Sequence, residues 1–214
     1  MTGSLSRCGA ARPASFVVAS FLAAALLAGC GERVPRVAAV APDEVIVAFG
    51  DSLTYGTGAA ESESYPAVLA QLIGRKVVRA GVPGEVTAQG LARIEQVIEA
   101  YRPALVIVCL GGNDMLRKVD DAQVKKNLAE IIRAIRSRGI AVVLVGVPKP
   151  ALITSAPAFY GELAREFEVP YEGKVVTDVM YQLELKADPI HPNAKGYRRM
   201  AEAIAELLKK AGAI

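Results

Sequence analysis

Val45-Ile46-Val47-Ala48-Phe49-Gly50-Asp51-Ser52-Leu53-Thr54 is the segment that sets the architecture of this chain. Its run of apolar residues suits a parallel strand covered on both faces, and Gly50-Asp51-Ser52 suits a tight turn opening a helix. In open α/β folds the carboxyl ends of the strands form the edge where ligands bind, so this turn would deliver the Ser52 hydroxyl to that edge. Helix-start amides beside it can stabilise developing negative charge. An isolated Asp-Ser pair would read as a helix N-cap and nothing more. What gives it a function lies elsewhere in the chain.

Downstream, strand and helix signals alternate. Tyr65, Val68, Leu69, Leu72 and Ile73 share a helical face, with Ser64 as cap, Pro66 in the first turn and Gly74 as stop. Residues 76–80 form a second short strand. A loop over residues 81–87 leads to a helix turning Leu91, Ile94, Val97, Ile98 and Tyr101 inward, and 104–110 is a buried third strand. Gly111-Gly112-Asn113-Asp114 closes that strand. Val124, Leu128, Ile131, Ile132 and Ile135 stripe the next helix, which Gly139 ends before a fourth strand over 140–147. A proline-punctuated loop over 148–157, a helix over 159–167, an edge strand over 174–177 and a last helix over about 192–210 complete the pattern. Strands separated by helices make a doubly wound, mostly parallel five-stranded sheet with right-handed crossovers, a flavodoxin-like three-layer α/β sandwich.

The first 29 residues read as a processing segment. Arg7 and Arg12 supply a positive start, an apolar run over 14–27 has the length of a signal core, and Leu27-Ala28-Gly29-Cys30 resembles a bacterial lipoprotein cleavage box. Cys30 would then carry lipid. Residues 30–43 read as a tether and 44–214 as one domain, long enough to bury its own core. The expected location is the bacterial cell envelope, lipid-anchored and facing the periplasm or exterior. The full chain has 25 basic and 22 acidic residues, and without Arg7 and Arg12 the balance is 23 to 22, a net charge of +1. Nothing in that balance points to nucleic acid. Removing Cys8 and committing Cys30 leaves Cys109 alone, so no disulfide holds the domain.

The polar residues at strand ends now fall into one pattern. Ser52 follows the first strand, Gly84 the second and Asn113 the third. With strand order 2-1-3-4-5 the first and third strands are neighbours at the switch point, so Ser52 and Asn113 flank one crevice. His191, the single histidine, sits in Asp188-Pro189-Ile190-His191-Pro192. The prolines hold Asp188 and His191 out of helical geometry at the mouth of the last helix, with Pro192 at its first position. A serine hydroxyl needs a base to take its proton, imidazole suits that work near neutrality, and a base needs an orienting partner such as Asp188.

Taken in order, Gly50-Asp51-Ser52-Leu53, the glycine of Val82-Pro83-Gly84-Glu85, Gly111-Gly112-Asn113-Asp114 and Asp188-Pro189-Ile190-His191 resemble the four blocks of the SGNH (GDSL-type) hydrolases. The likeness is to the bacterial thioesterase, arylesterase and lysophospholipase branch, and it covers about residues 45–210. The resemblance implies Ser52 as nucleophile, His191 as general base and then acid, and Asp188 as its orienter. It also implies an oxyanion hole from the Ser52 amide, the Gly84 amide and the Asn113 side chain. Two departures stand out: Glu85-Val86 replaces a shorter polar residue followed by threonine, and residues 148–159 make a compact pocket loop.

The expected activity is hydrolysis of carboxylic esters or thioesters through an acyl-enzyme, on a small-molecule substrate, with no metal and no cofactor. His-Glu-x-x-His, Cys-x-x-Cys, phosphate-loop and Gly-x-Ser-x-Gly patterns are all missing from the sequence. Gly56-Thr57-Gly58 reads as a flexible turn. Three alternatives remain: an acetyl esterase acting on cell-wall or secreted polysaccharide, a non-catalytic lipoprotein that binds acylated ligands, and a flavodoxin-like redox module sharing the topology.

Overall fold

The computed structural model describes residues 1–3, 33–149 and 155–214. The expected signal segment beyond residue 3 and Cys30 therefore lie outside the described residues, as does the middle of the 148–157 loop. Met1–Arg33 and Val34–Ile214 are two separate units, and every strand and helix below belongs to the second.

Among the described residues five strands, β1 (Val45–Gly50), β2 (Lys76–Gly81), β3 (Leu105–Cys109), β4 (Ala141–Val145) and β5 (Tyr171–Glu172), form one parallel sheet in the order β2-β1-β3-β4-β5. This is the expected order. Ile46, Val47, Ala48 and Phe49 are fully buried, as is every residue of β3, so the continuous apolar runs are explained by cover on both faces. Burial of each such Ile, Leu or Val contributes about 1.5–3 kcal/mol. Register sets where the strands end: Gly50 pairs with Gly81 on one side and with Cys109 on the other. The three strands thus stop at one level, and the loops carrying Ser52, Gly84 and Asn113 leave from a common edge. Gly50 itself has no room for a side chain, since a Cβ there would run into the Cys109 carbonyl.

The helices around the sheet are α1 (Ser52–Tyr55), α2 (Tyr65–Ile73), α3 (Thr87–Tyr101), α4 (Gly112–Leu116), α5 (Asp121–Ser137), α6 (Ala158–Glu166), α7 (Val175–Tyr181) and α8 (Ala194–Ala211). Right-handed crossovers dictate their sides. α2 packs on α8, while α3, α5 and α6 pack in sequence against one another. Val124, Leu128, Ile131, Ile132 and Ile135 of α5 are fully buried, matching the stripe in the sequence, and so are Tyr197, Ala201, Ile204 and Leu208 of α8.

Four expectations give way. Residues 174–177 are not a strand: the fifth strand is Tyr171–Glu172, and 175–177 open α7. The Glu172 carboxylate accepts the Lys174 and Val175 amides at 2.8 and 2.9 Å, and this cap starts a helix where β-branched residues alone read as extended. Pro192 is not the first helical residue. It bridges to Lys186, and Asn193 is the cap, its Oδ1 accepting the Lys195 and Gly196 amides. Leu72 and Tyr101 are exposed, each in the terminal turn of a helix that the chain leaves through a left-handed residue, Gly74 or Arg102. Within the expected tether, the Val37 and Val40 amides bond to the Ala211 and Ala213 carbonyls at 3.1 and 2.8 Å, so this stretch lies along the end of α8.

Candidate active site

The turn after β1 is fixed by its own aspartate. Asp51 is buried, its Oδ1 accepts the Leu53 amide at 3.0 Å, and its carbonyl accepts the Tyr55 amide at 2.9 Å, which sets Ser52 as the first residue of α1. Burial pushes the Asp51 carboxyl up to about 7; the Leu53 amide opposes that rise, and the charges of Glu85 and Asp114 add to it.

A second loop, residues 186–192, brings in the other side chains. The Lys186–Pro192 bridge and the bond from the Ala187 amide to the His191 carbonyl, 2.9 Å, close it into a tight turn. Within it, Asp188 Oδ1 accepts the Ile190 and His191 amides at 2.8 and 2.9 Å. Gly56-Thr57-Gly58 is a packed support for this loop instead of a flexible turn. Gly58 has φ +98°, and a Cβ there would come within 2.6 Å of the Pro192 carbonyl. The Tyr197 hydroxyl, from α8, donates to the Thr57 carbonyl at 2.7 Å and pins the same turn from beneath.

The two loops meet in a relay. Ser52 Oγ lies 3.0 Å from His191 Nε2, and His191 Nδ1 lies 2.7 Å from Asp188 Oδ2. A carboxylate only accepts, so Nδ1 carries the ring proton of neutral His191 and Nε2 is left to accept from the Ser52 hydroxyl. Asp188 is 43% exposed and His191 15% at the side chain. Burial works to raise the Asp188 carboxyl, but the hydrogen bonds from the His191 ring and the Ile190 and His191 amides outweigh it, and the net shift is downward. The carboxylate therefore stays charged beside the ring.

Asn113 lies on α4, across the switch point from Ser52. Its Nδ2 donates to the Glu85 carbonyl at 3.0 Å and reaches Asp51 Oδ2 at 3.3 Å. Gly84 has φ +78° in the turn closed by the Glu85 amide on the Val82 carbonyl. It is half-buried and does not line the cleft that Ser52, Asn113 and His191 share; it borders that group through Glu85 and through Arg117, which donates to the Gly84 carbonyl at 2.9 Å. Asp114, buried next to Asn113, accepts the Thr87 amide at 2.8 Å and the Thr87 hydroxyl at 2.6 Å. It caps α3 and ties the loop after β3 to the loop after β2.

Ser52, Asn113 and His191 open on a cleft of about 460 Å³ with mainly apolar walls from Leu116, Val147, Pro148, Val176, Met180 and Ile190. That is a small-molecule size and character. The α4 and α7 walls leave no mark in the sequence, because these short helices carry too few turns for a periodic signal. Among the described residues no group of three or more His, Cys, Asp or Glu side chains could hold a metal ion.

Residues 48–199 match the GDSL-like lipase/acylhydrolase family. Among curated proteins, the chain is 32% identical to esterase TesA of Pseudomonas aeruginosa, over 87% of this chain and 98% of that one. It is 31% identical to thioesterase 1/protease 1/lysophospholipase L1 of Escherichia coli strain K12, over 80% of this chain and 86% of the other. Among solved structures, TesA superposes with a TM-score of 0.69 at 29% identity, covering 78% of this chain and 98% of that one. AlinE4, an SGNH-hydrolase family esterase, does so with a TM-score of 0.62 at 32% identity over 79% of this chain and 96% of its own.

Proposed function

This chain belongs to the GDSL-like lipase/acylhydrolase family and is a serine ester hydrolase, and on that basis we propose that Ser52, His191 and Asp188 are its catalytic triad. The observation that carries the assignment is the continuous relay from Ser52 Oγ through His191 to Asp188, at 3.0 and 2.7 Å. His191 Nε2 takes the Ser52 proton as Oγ attacks the substrate carbonyl, and Asp188 holds the ring and stabilises the imidazolium. The carbonyl oxygen gains negative charge, which the Ser52 amide and Asn113 Nδ2 stabilise from within the cleft, with the Gly84 amide at its border as the third donor. Imidazolium then protonates the leaving alcohol or thiol, and water, activated by the same ring, releases the acid from the acyl-enzyme.

The apolar cleft supports acyl esters and thioesters as substrates more than acetylated polysaccharide, since an acetyl group has too little apolar surface to occupy those walls. Two further features complete the proposal: residues 1–29, of which only 1–3 are described, act as a signal and Cys30 as a lipid anchor in the cell envelope.

A fluorophosphonate probe tests the triad. Ser52 should be the labelled residue, and Ser52→Ala and His191→Ala should each lose aryl-ester hydrolysis while keeping the wild-type circular dichroism. A folded Ser52→Ala protein with comparable turnover would overturn the assignment.

A further inference from the structure

Glu85 and Arg93 form an ion pair at the catalytic edge that no step of the acyl-transfer mechanism uses. Glu85 is 3% exposed, and its carboxylate is gripped at both oxygens: Arg93 Nε donates to Oε1 at 2.7 Å and Nη2 to Oε2 at 2.6 Å. Such a fork fixes direction as well as distance. Arg93 Nη2 also reaches the Ala80 carbonyl at 3.1 Å and the Gly50 carbonyl at 3.4 Å, and its guanidinium lies 4.2 Å from the centre of the buried Phe49 ring. The cation thus spans the ends of β1 and β2 from one side, held over an aromatic face.

The contacts of Glu85 then connect this cation to two of the expected oxyanion donors, Asn113 and Gly84. Its main chain accepts Asn113 Nδ2 at 3.0 Å, and its amide closes the turn that holds Gly84 at φ +78°. Gly50, whose carbonyl Arg93 approaches, stands two residues before Ser52. A buried pair is weak evidence of net stabilisation, because desolvation offsets much of its attraction. Placed here, it has a geometric task.

We propose that the Glu85–Arg93 pair is the positioning element of the oxyanion hole: it locks the turn after β2 so that the Glu85 carbonyl aims the Asn113 amide and Gly84 keeps its left-handed conformation. Neither residue touches substrate. The inference rests on Ser52, Gly84 and Asn113 being the oxyanion donors.

The variants Arg93→Met, Arg93→Lys and Glu85→Gln test it on a soluble aryl ester, with thermal unfolding followed in parallel. Arg93→Met should lower kcat by about 10- to 100-fold with KM within about twofold, because a mis-aimed donor fails in the transition state and not in substrate binding. Arg93→Lys, which keeps the charge but not the fork, should recover part of that loss. In an Asn113→Ala background the Arg93→Met step should cost less than about threefold, since a donor already removed cannot be mis-aimed. If Arg93→Met does not fold, Glu85→Gln carries the same kcat and coupling measurements. Unchanged kcat in a folded variant, a change in KM alone, or full additivity with Asn113→Ala would overturn the proposal. Fluorophosphonate labelling of the wild-type protein at Ser52 keeps that outcome separate from the triad assignment.

Discussion

Ser52 Oγ and His191 Nε2 lie 3.0 Å apart across 139 residues of chain. Each end of that bond is held by an aspartate acting on its own turn: Asp51 takes the Leu53 amide behind the serine, and Asp188 takes the Ile190 and His191 amides around the histidine. The two loops are therefore set before substrate arrives, which is what a positioned base requires.

Asn113→Ala should lower kcat by about 10²- to 10³-fold with little change in KM, as expected for a donor that acts on developing charge. Steady-state kinetics on a p-nitrophenyl ester measures both constants. An unchanged kcat would remove Asn113 from the oxyanion hole and leave it as a link between the Glu85 carbonyl and Asp51.

Asp51 should make stability fall with rising pH. Its carboxyl is pushed up to about 7 from 3.8, first by burial and then by the nearby charges of Glu85 and Asp114. The folded state thus holds a proton that the unfolded state releases. Its contribution to stability is present in full below about 3.8 and is lost as pH rises through about 7. Asp51→Asn removes that titration. The Tm of the variant should gain on the wild type as pH is raised across that window, and parallel melting curves would show that Asp51 is ionised throughout.

Acyl-chain preference should climb and then stop. Each methylene buried is worth about 0.8 kcal/mol, or roughly fourfold in kcat/KM, for as long as wall is available to cover it. Among the described residues the wall is short: Val147 and Pro148 after β4, Val176 and Met180 of α7, Leu116 of α4, and Ile190 beside the histidine, with Leu116 and Ile190 themselves 45% and 42% exposed at the rim. A p-nitrophenyl series from acetate to palmitate should rise over the first several carbons and level off or fall. Met180→Trp should move the plateau to shorter chains, and a monotonic rise through palmitate would show that another segment extends the cleft.

Cys30→Ala should abolish lipid modification and release the protein from the membrane fraction of a bacterial host. Mass spectrometry of the purified wild type and variant reads this directly, and the same lipid mass shift on both would end the lipoprotein reading.

Much of this protein is legible in its sequence because the relevant signals are local. The run of residues 45–49 needs no partner to read as a doubly covered strand, the α5 stripe announces its buried face, and Gly74 ends its helix by a left-handed turn that favours glycine. The parallel order then comes from alternation and crossover handedness, which is enough to set Ser52 and Asn113 on one edge. Short elements are harder to read. Val175-Val176-Thr177 is β-branched and reads as strand, and only the Glu172 cap, a contact of particular atoms, makes it helix. Proline's preference for the first turn points to Pro192 as the helix start, whereas Asn193 caps and Pro192 is held back by Lys186.

The α/β class, the strand order and the identity of the polar residues at strand ends are thus written in the chain itself, because backbone periodicity and proline or glycine geometry act over a few residues. How those polar residues are aimed depends on contacts between distant loops. The grip of Arg93 on Glu85, the hold of the Glu85 carbonyl on Asn113, the cap of Asp114 on α3 and the support of Gly58 beneath the His191 loop all join separate segments at the sheet's edge. A hydrogen bond demands donor and acceptor within about 3 Å. That condition is met only when register and crossovers have brought those loops to one level, and no local pattern encodes it.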